Sequence, residues 1–277
     1  MWLAPPRGMA MSRVAGVARP ADKTIWESAE IARSKVEASR TAEQSLRIGP
    51  TVRQRYLNPP LDTAYPLEYA YALLGDVGGR TVLDLGCGSG ANTALLALRG
   101  AHVYALDLSP DLIALARRRI AVNQIETPVD LLVGSAHDID VPDESIDVVF
   151  GIAVLHHIDM EKTARETWRI LRPGGRAIFQ EPVRNSRVVR ALRAMIPYRS
   201  PDVSPYERPL TDAEIRRFAG HFRGFRARPF MLPHASLAHV VPRALRYTEP
   251  LYRLDRSMLR FPSLQPFAGI RVFEVTK

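Results

Sequence analysis

The residues best suited to chemistry lie in one run, Val82-Leu83-Asp84-Leu85-Gly86-Cys87-Gly88-Ser89-Gly90. An apolar strand pattern leads into three alternate glycines, and helix formers follow. Glycine permits a sharp turn and close backbone approach, and the helix after it offers free amide groups at its start. That combination suits a nucleotide-like ligand, although Gly86-x-Gly88-x-x-Ala91 also satisfies the looser fingerprint of dinucleotide enzymes. A second carboxylate, Asp107, ends the next apolar run 17 residues beyond Gly90, where it could accept both hydroxyls of a ribose. His156 and His157 follow the fourth apolar run. An imidazole titrates near neutral pH and can take a proton from an acceptor hydroxyl, so His156 is the first candidate for a general base, with a structural hydrogen-bonding role as the alternative. Adjacent side chains point apart and no carboxylate set accompanies them, so no metal site is expected.

Positioning these groups requires an alternating fold. Runs of strand length recur at Thr81–Leu85, Val103–Leu108, Asp130–Val133, Ile146–Leu155 and Arg176–Gln180, with helical patterns at Asn92–Arg99, Pro110–Asn123 and Met160–Leu171 between them. Such alternation predicts right-handed crossovers and a mainly parallel, doubly wound α/β sheet covered on both faces. Thr211-Asp212-Ala213-Glu214 reads as a capping box opening a later helix, and Phe225–Met231 and Ile270–Thr276 read as closing strands. Upstream, Ile25 to Leu46 predicts an amphipathic helix, with Ile25, Ala29, Ala32, Val36 and Ala38 toward one side. Residues 1–24 lack periodicity and read as a disordered leader, and 25–65 as a helical cap.

Composition narrows the class. The 277 residues carry a net charge of +9, concentrated late: residues 183–260 hold 16 basic and 6 acidic side chains. Arg184, Arg187, Arg190 and Arg193 recur every three residues and predict a short basic helix that could meet an anionic substrate or a membrane surface. No apolar run approaches the roughly 20 residues of a membrane span, and the start lacks the order of a secretory signal, so a cytoplasmic protein is expected. The single cysteine, Cys87, reads as a small residue in a tight turn rather than a catalytic thiol.

With Asp84 ending its strand, Gly90 completing Asp-x-Gly-x-Gly-x-Gly, Asp107, and Leu171-Arg172-Pro173-Gly174-Gly175 entering the fifth strand, the chain resembles the class I methyltransferases that use S-adenosyl-L-methionine (SAM). It is similar in particular to the small-molecule group that includes quinone, sterol and natural-product methyltransferases. The resemblance is close over residues 66–182. It implies a Rossmann-like, seven-stranded sheet, mostly parallel with an antiparallel last strand, over residues 66–277, plus the amino-terminal cap and insertions at 183–210 and 232–266, the later one helical. It also implies SAM as cofactor, with the methionine part held by Asp84, Gly86, Gly88 and Gly90, the ribose by Asp107 and the adenine face by Leu108. Ser135 and Ala136 stand where relatives often have an Asp-Ala pair at the adenine edge, and Gly151 and Ile152 match positions at the methionine end.

The implied reaction is in-line transfer of the SAM methyl to a small-molecule acceptor, for which the basic late segment suggests an anionic or lipid-like compound. A non-catalytic SAM-binding protein and, less favoured, a nicotinamide-dependent dehydrogenase remain alternatives. A nucleic-acid acceptor is disfavoured because no Asn/Asp-Pro-Pro-Tyr signature for an extruded base appears. Tyr56, Tyr65, Tyr69, Tyr71, Tyr198, Tyr206, Phe230 and Tyr247 are candidates to line an apolar acceptor pocket.

Overall fold

A computed structural model describes residues 25–41, 43–186, 208–234 and 248–277. Seven strands form one sheet in the order β3-β2-β1-β4-β5-β7-β6. They are β1 (Thr81–Leu85), β2 (His102–Asp107), β3 (Val129–Val133), β4 (Ile146–Ile152), β5 (Leu171–Pro182), β6 (Gly224–Phe230) and β7 (Ile270–Thr276). β1 to β5 pair in parallel, while β7 runs antiparallel to both β5 and β6. An antiparallel strand slipped between β5 and β6 departs from the all-parallel order 3-2-1-4-5-6 of dinucleotide-binding dehydrogenases.

The apolar strands need cover on both faces, and alternate residues supply two cores. Val82, Val148, Phe150, Ile178 and Val272 pack beneath helices α3 (Pro66–Leu73) and α4 (Ala91–Leu98), together with Ile113 of α5 (Pro110–Val122). Leu83, Leu85, Val149, Phe179 and Phe273 face the other way, under α6 (Met160–Ile170) and α7 (Asp212–Ala219). α7 opens on the expected capping box: the Thr211 side chain accepts from Glu214 N, and the Glu214 carboxylate accepts from Thr211 N at 2.8 Å. Between β6 and β7 lie α8 (Thr248–Met258) and a short 3-10 stretch, Pro262–Phe267. Residues 235–247 of the expected helical insertion, the leader at 1–24 and the basic residues Arg187, Arg190 and Arg193 fall outside the described residues. Arg184 is described, and its amide donates to Leu210 O.

Four expectations are corrected. The fourth strand stops at Ile152, not Leu155: Ala153 takes a positive φ of 55°, and Leu155–His157 forms a 3-10 turn. The cause is remote in sequence, since the Glu181 carboxylate at the end of β5 accepts from both Val154 N (2.9 Å) and Leu155 N (2.8 Å) and bends the chain away from the ladder. The fifth strand starts earlier than expected, because Leu171 already pairs with Ile146 before a register shift. The helix from Ile25 ends at Arg40, as α1 (Ile25–Arg40), with a separate 3-10 turn at Glu43–Leu46. Its orientation also differs from the amphipathic reading: Ala32 and Val36 are exposed, whereas Glu27 and Ser34 are buried.

The glycine turn is fastened at both ends. Gly86 N and Cys87 N both donate to Leu106 O at 2.9 Å, tying the turn to β2. Gly90 caps α4 with φ 79°, and a Cβ built there would stand 2.7 Å from the Ala116 Cβ of α5, so only glycine allows the two helices to approach this closely. Asp84, 1% exposed, accepts from Thr93 Oγ1 at 2.6 Å and so joins the end of β1 to α4, while its Oδ1 is buried without a partner. Burial lifts the Asp84 carboxyl to about 7, opposed by the Thr93 hydrogen bond and reinforced by nearby Asp107.

The raised carboxyl has a measurable consequence. The folded chain keeps the Asp84 proton up to about pH 7 while the unfolded chain loses it near pH 4. Between those values the folded state binds more protons, so this group makes stability fall as pH rises, by up to about 1.4 kcal/mol per pH unit. In Asp84→Asn that contribution should vanish. Urea midpoints measured at pH 5 and pH 7 should lie closer together in the variant than in the parent, and equal pH dependence in the two proteins would show that Asp84 is ionised throughout.

Candidate active site

In an open sheet, ligands bind outside the carboxyl ends of the strands where the strand order reverses. Here the chain runs outward from β1 through β2 to β3, then returns to β4 on the other side of β1. A crevice opens at that point. Its walls come from Gly86 and Gly88 after β1, Asp107 and Leu108 after β2, Ser135 and Ala136 after β3, and Val154 and His157 after β4. Six of the residues read from the sequence therefore meet around one cavity.

Asp107 organises this crevice. Its Oδ2 accepts from Gly88 N and its Oδ1 from Ser109 N, both at 2.9 Å, so one carboxylate fixes the middle of the glycine turn and the start of α5. A carboxylate oxygen can accept more than one hydrogen bond, so the group that fixes the turn is also of the type that accepts ligand hydroxyls. Gly88 has φ 53°, and a Cβ built on it meets nothing within 4 Å, which is the open cradle a ligand would fill. Four other sequence candidates are absent from the crevice wall. Asp84 is buried at Thr93, and Gly90 backs onto α5. Gly151 stands where any Cβ would press on Phe179 at 2.6 Å, and Ile152 packs beside the first core. Burial, with Asp84 and Asp107 close by, pushes the Cys87 thiol far above its ordinary value, which keeps it protonated and inert.

Sequence reading gave α1 as part of a cap but not its polar side chains as part of the crevice wall. Its polar face closes over the crevice: Glu30, Arg33 and Ser34 line it, and Ser135 Oγ donates to Glu27 Oε1 at 3.0 Å. Glu30 also stands 3.5 Å from His157 Nδ1 and 3.0 Å from Arg33. The alternation of Glu27, Glu30, Arg33 and Ser34 every three or four residues was the available signal, since these share one helix face.

The two histidines divide. His157 lines the crevice, whereas His156 does not. The His156 ring is almost wholly buried, with Nδ1 2.7 Å from Oε2 of Glu181, itself fully buried. Both histidines, with Ile158, wall a second cavity of about 630 Å³ on the side of α7, where Arg208, Leu210, Glu214 and Phe218 complete it. His157 and Ile158 thus border both spaces. Glu181 was also missed by sequence reading, although an acid closing the apolar run Ala177-Ile178-Phe179 is a detectable oddity.

The aromatic residues expected to line an acceptor pocket mostly pack instead. Tyr71 is fully buried against Phe150, with centroids 5.0 Å apart, and donates to Asn92 Oδ1; Tyr65 stacks on Tyr252 at 4.8 Å. Tyr198, Tyr206 and Tyr247 lie outside the described residues, as does His239. His234 pairs with buried Asp255 at 2.7 Å. Among the described residues no group of three or more His, Cys, Asp or Glu could hold a metal ion, and no helix is long and apolar enough to cross a membrane.

Comparison with known proteins agrees with this geometry. The family described as a methyltransferase domain matches residues 83–179. The arsenite methyltransferase of Halobacterium salinarum is 35% identical over 112 residues, 39% of this chain and 28% of that one. The demethylmenaquinone methyltransferase of Clavibacter sepedonicus is 35% identical over 106 residues, 38% and 42% of the two chains. The chain thus spans less than half the length of these two curated relatives. Among solved structures, the geranyl diphosphate C-methyltransferase of Streptomyces coelicolor superposes with a TM-score of 0.58 at 17% identity, covering 92% of this chain and 98% of that chain. At that identity the likeness shows the fold alone. The match over residues 83–179 spans β1 to β5, the strands that carry the glycine turn, Asp107 and the reversal of strand order.

Proposed function

We propose that the chain is a SAM-dependent methyltransferase acting on a small-molecule acceptor. The observation that carries this reading is Asp107, poised at the carboxyl end of β2 with its carboxylate already holding Gly88 N across an open glycine cradle. In this reading Gly86 and Gly88 receive the methionine part of the cofactor, Asp107 its ribose hydroxyls, and Leu108, Ser135 and Ala136 its adenine. Asp84, Gly90, Gly151 and Ile152 act from behind by fixing the backbone that forms the cradle. The partial match to proteins named for methyl transfer to arsenite and a quinone precursor supports a small acceptor.

Bound SAM supplies a methyl group already activated on a positively charged sulfur. The protein's work is then alignment and exclusion of water. α1 performs the exclusion by laying Glu30, Arg33 and Ser34 over the crevice. The acceptor approaches through the cavity beside His156 and α7, which shares the His157-Ile158 wall with the cofactor crevice. Where the acceptor is a hydroxyl, His156 takes its proton, and the buried Glu181 carboxylate fixes the ring and stabilises the imidazolium that forms. Glu181 is a positioning residue here, since it also anchors the turn on which His156 rides.

Two outcomes test the reading. Asp107→Ala should weaken binding of S-adenosylhomocysteine at least about tenfold by calorimetry, because ribose hydrogen bonds to a charged acceptor are lost and the turn loosens; unchanged affinity would remove Asp107 from the site. His156→Asn should lower kcat by about 10²-fold or more while leaving the KM for SAM unchanged, as expected when a general base is lost. Full turnover in that variant would leave the histidine a structural role alone.

A further inference from the structure

The same rim of the sheet carries a further charged cavity at its far end, which the cofactor crevice does not use. It lies where β6 ends, and Phe230 there pairs with Ile270, which in turn pairs with Pro182 beside Glu181. Strands stand about 4.8 Å apart, so β6 is roughly 14 Å from β4 along the rim. The cavity has a volume of about 250 Å³, with Phe230, Met231 and Leu259 in its walls and Arg228, Arg256 and Arg260 around it.

The cations are unevenly neutralised. Arg228 is half-buried, and its guanidinium is held by neutral groups: it donates to Leu61 O (3.3 Å) and Thr63 O (2.7 Å) and lies 4.7 Å over both the Tyr69 and Phe230 rings. Among the described residues no carboxylate stands within ion-pair distance of it. Half-buried charges are ordinarily paired, and a guanidinium fixed in place with a free counter-charge position is preorganised for an anion. Burial and the neighbouring Arg256 pull its pKa down, against the opposing pull of Tyr69 and Asp62. Arg260 is exposed and makes no ion pair or hydrogen bond among the described residues. Arg256 pairs with exposed Asp62. The one carboxylate in the wall, Asp255, is turned inward: it accepts from Leu232 N at 2.9 Å, and its other oxygen faces His234 at 2.7 Å. The cavity therefore presents net positive charge over an apolar floor.

We infer that this cavity binds the phosphate or diphosphate head of the methyl acceptor, with Arg228 and Arg260 as its ligands. The inference rests on the methyltransferase reading for the word acceptor, and on these residues alone for the anion. A planar fork of donors suits phosphate oxygens, and the roughly 14 Å along the rim sets the length an acceptor must span from its anchored head to the atom that receives the methyl. On this reading the acceptor is an extended amphiphile with an ionised head.

Calorimetry on the full chain saturated with S-adenosylhomocysteine tests this, using hexyl phosphate and inorganic phosphate as probes. Hexyl phosphate should bind more tightly than inorganic phosphate. Arg260→Gln, at an exposed position that makes no hydrogen bond or ion pair among the described residues, should weaken it about tenfold while leaving S-adenosylhomocysteine affinity unchanged. Arg228→Gln should weaken it further, but Arg260→Gln alone decides, because Arg228 also braces residues 61–63. No hexyl phosphate binding, or equal binding by Arg260→Gln, would overturn the site. Equal affinity for the two probes would make it a site for free phosphate and overturn the acceptor head. If S-adenosylhomocysteine fails to bind while hexyl phosphate still does, the methyltransferase reading falls, and with it the acceptor, leaving only an anion site.

Discussion

The structure turns on the hydrogen bonds that fasten the loop after β1 to the end of β2. Gly86 N and Cys87 N share the Leu106 carbonyl, and Gly88 N reaches the Asp107 carboxylate. Three glycines at positive φ let the backbone present these amides in succession, which no run of ordinary residues could do without strain. Once the loop is fixed, α4 must start at Gly90 and α5 at Ser109, whose amide takes the other Asp107 oxygen. The crevice is what remains between them. Its position at the reversal of strand order follows from topology, and its chemistry follows from placing one carboxylate there.

A second carboxylate does similar work on the next strand pair. Glu181, fully buried, receives two backbone amides and one imidazole, which accounts for the acceptor capacity expected of a charge withdrawn from water. It converts the end of β4 into a turn, and that turn sets the histidines on different sides of a shared wall. Asp107 and Glu181 thus occupy equivalent places, each at a strand's carboxyl end and each catching the amides of the loop from the strand beside it.

Much of this was legible in the sequence. Strands buried on both faces must be apolar throughout, so Val148-Val149-Phe150 and its counterparts announce themselves, and the glycine turn and the Thr211–Glu214 cap are local chemistry written in consecutive residues. What escaped depends on partners distant along the chain. β4 was read three residues too long because Glu181, not the residues of β4, ends it. α1 was read with its small apolar residues inward, since amphipathic patterning assumes an apolar destination; this helix covers a polar crevice, and Glu27 and Ser34 are buried in it. Arg228 gave no sign of its setting, because its partners are carbonyls some 165 residues earlier.

The contact between Gly90 and Ala116 links two positions that composition alone would leave independent. A Cβ at 90 would already stand 2.7 Å from the Ala116 Cβ, and Ala116 is itself wholly buried. Enlarging either residue would wedge α5 outward, and α5 begins at the residues that Asp107 holds. Drift at residue 116 is therefore restrained by the geometry of a ligand cradle it never touches. Among descendants of this chain the two sites should vary as a pair or stay small together, and an inherited Ala at 116 records the same constraint as the glycine it faces.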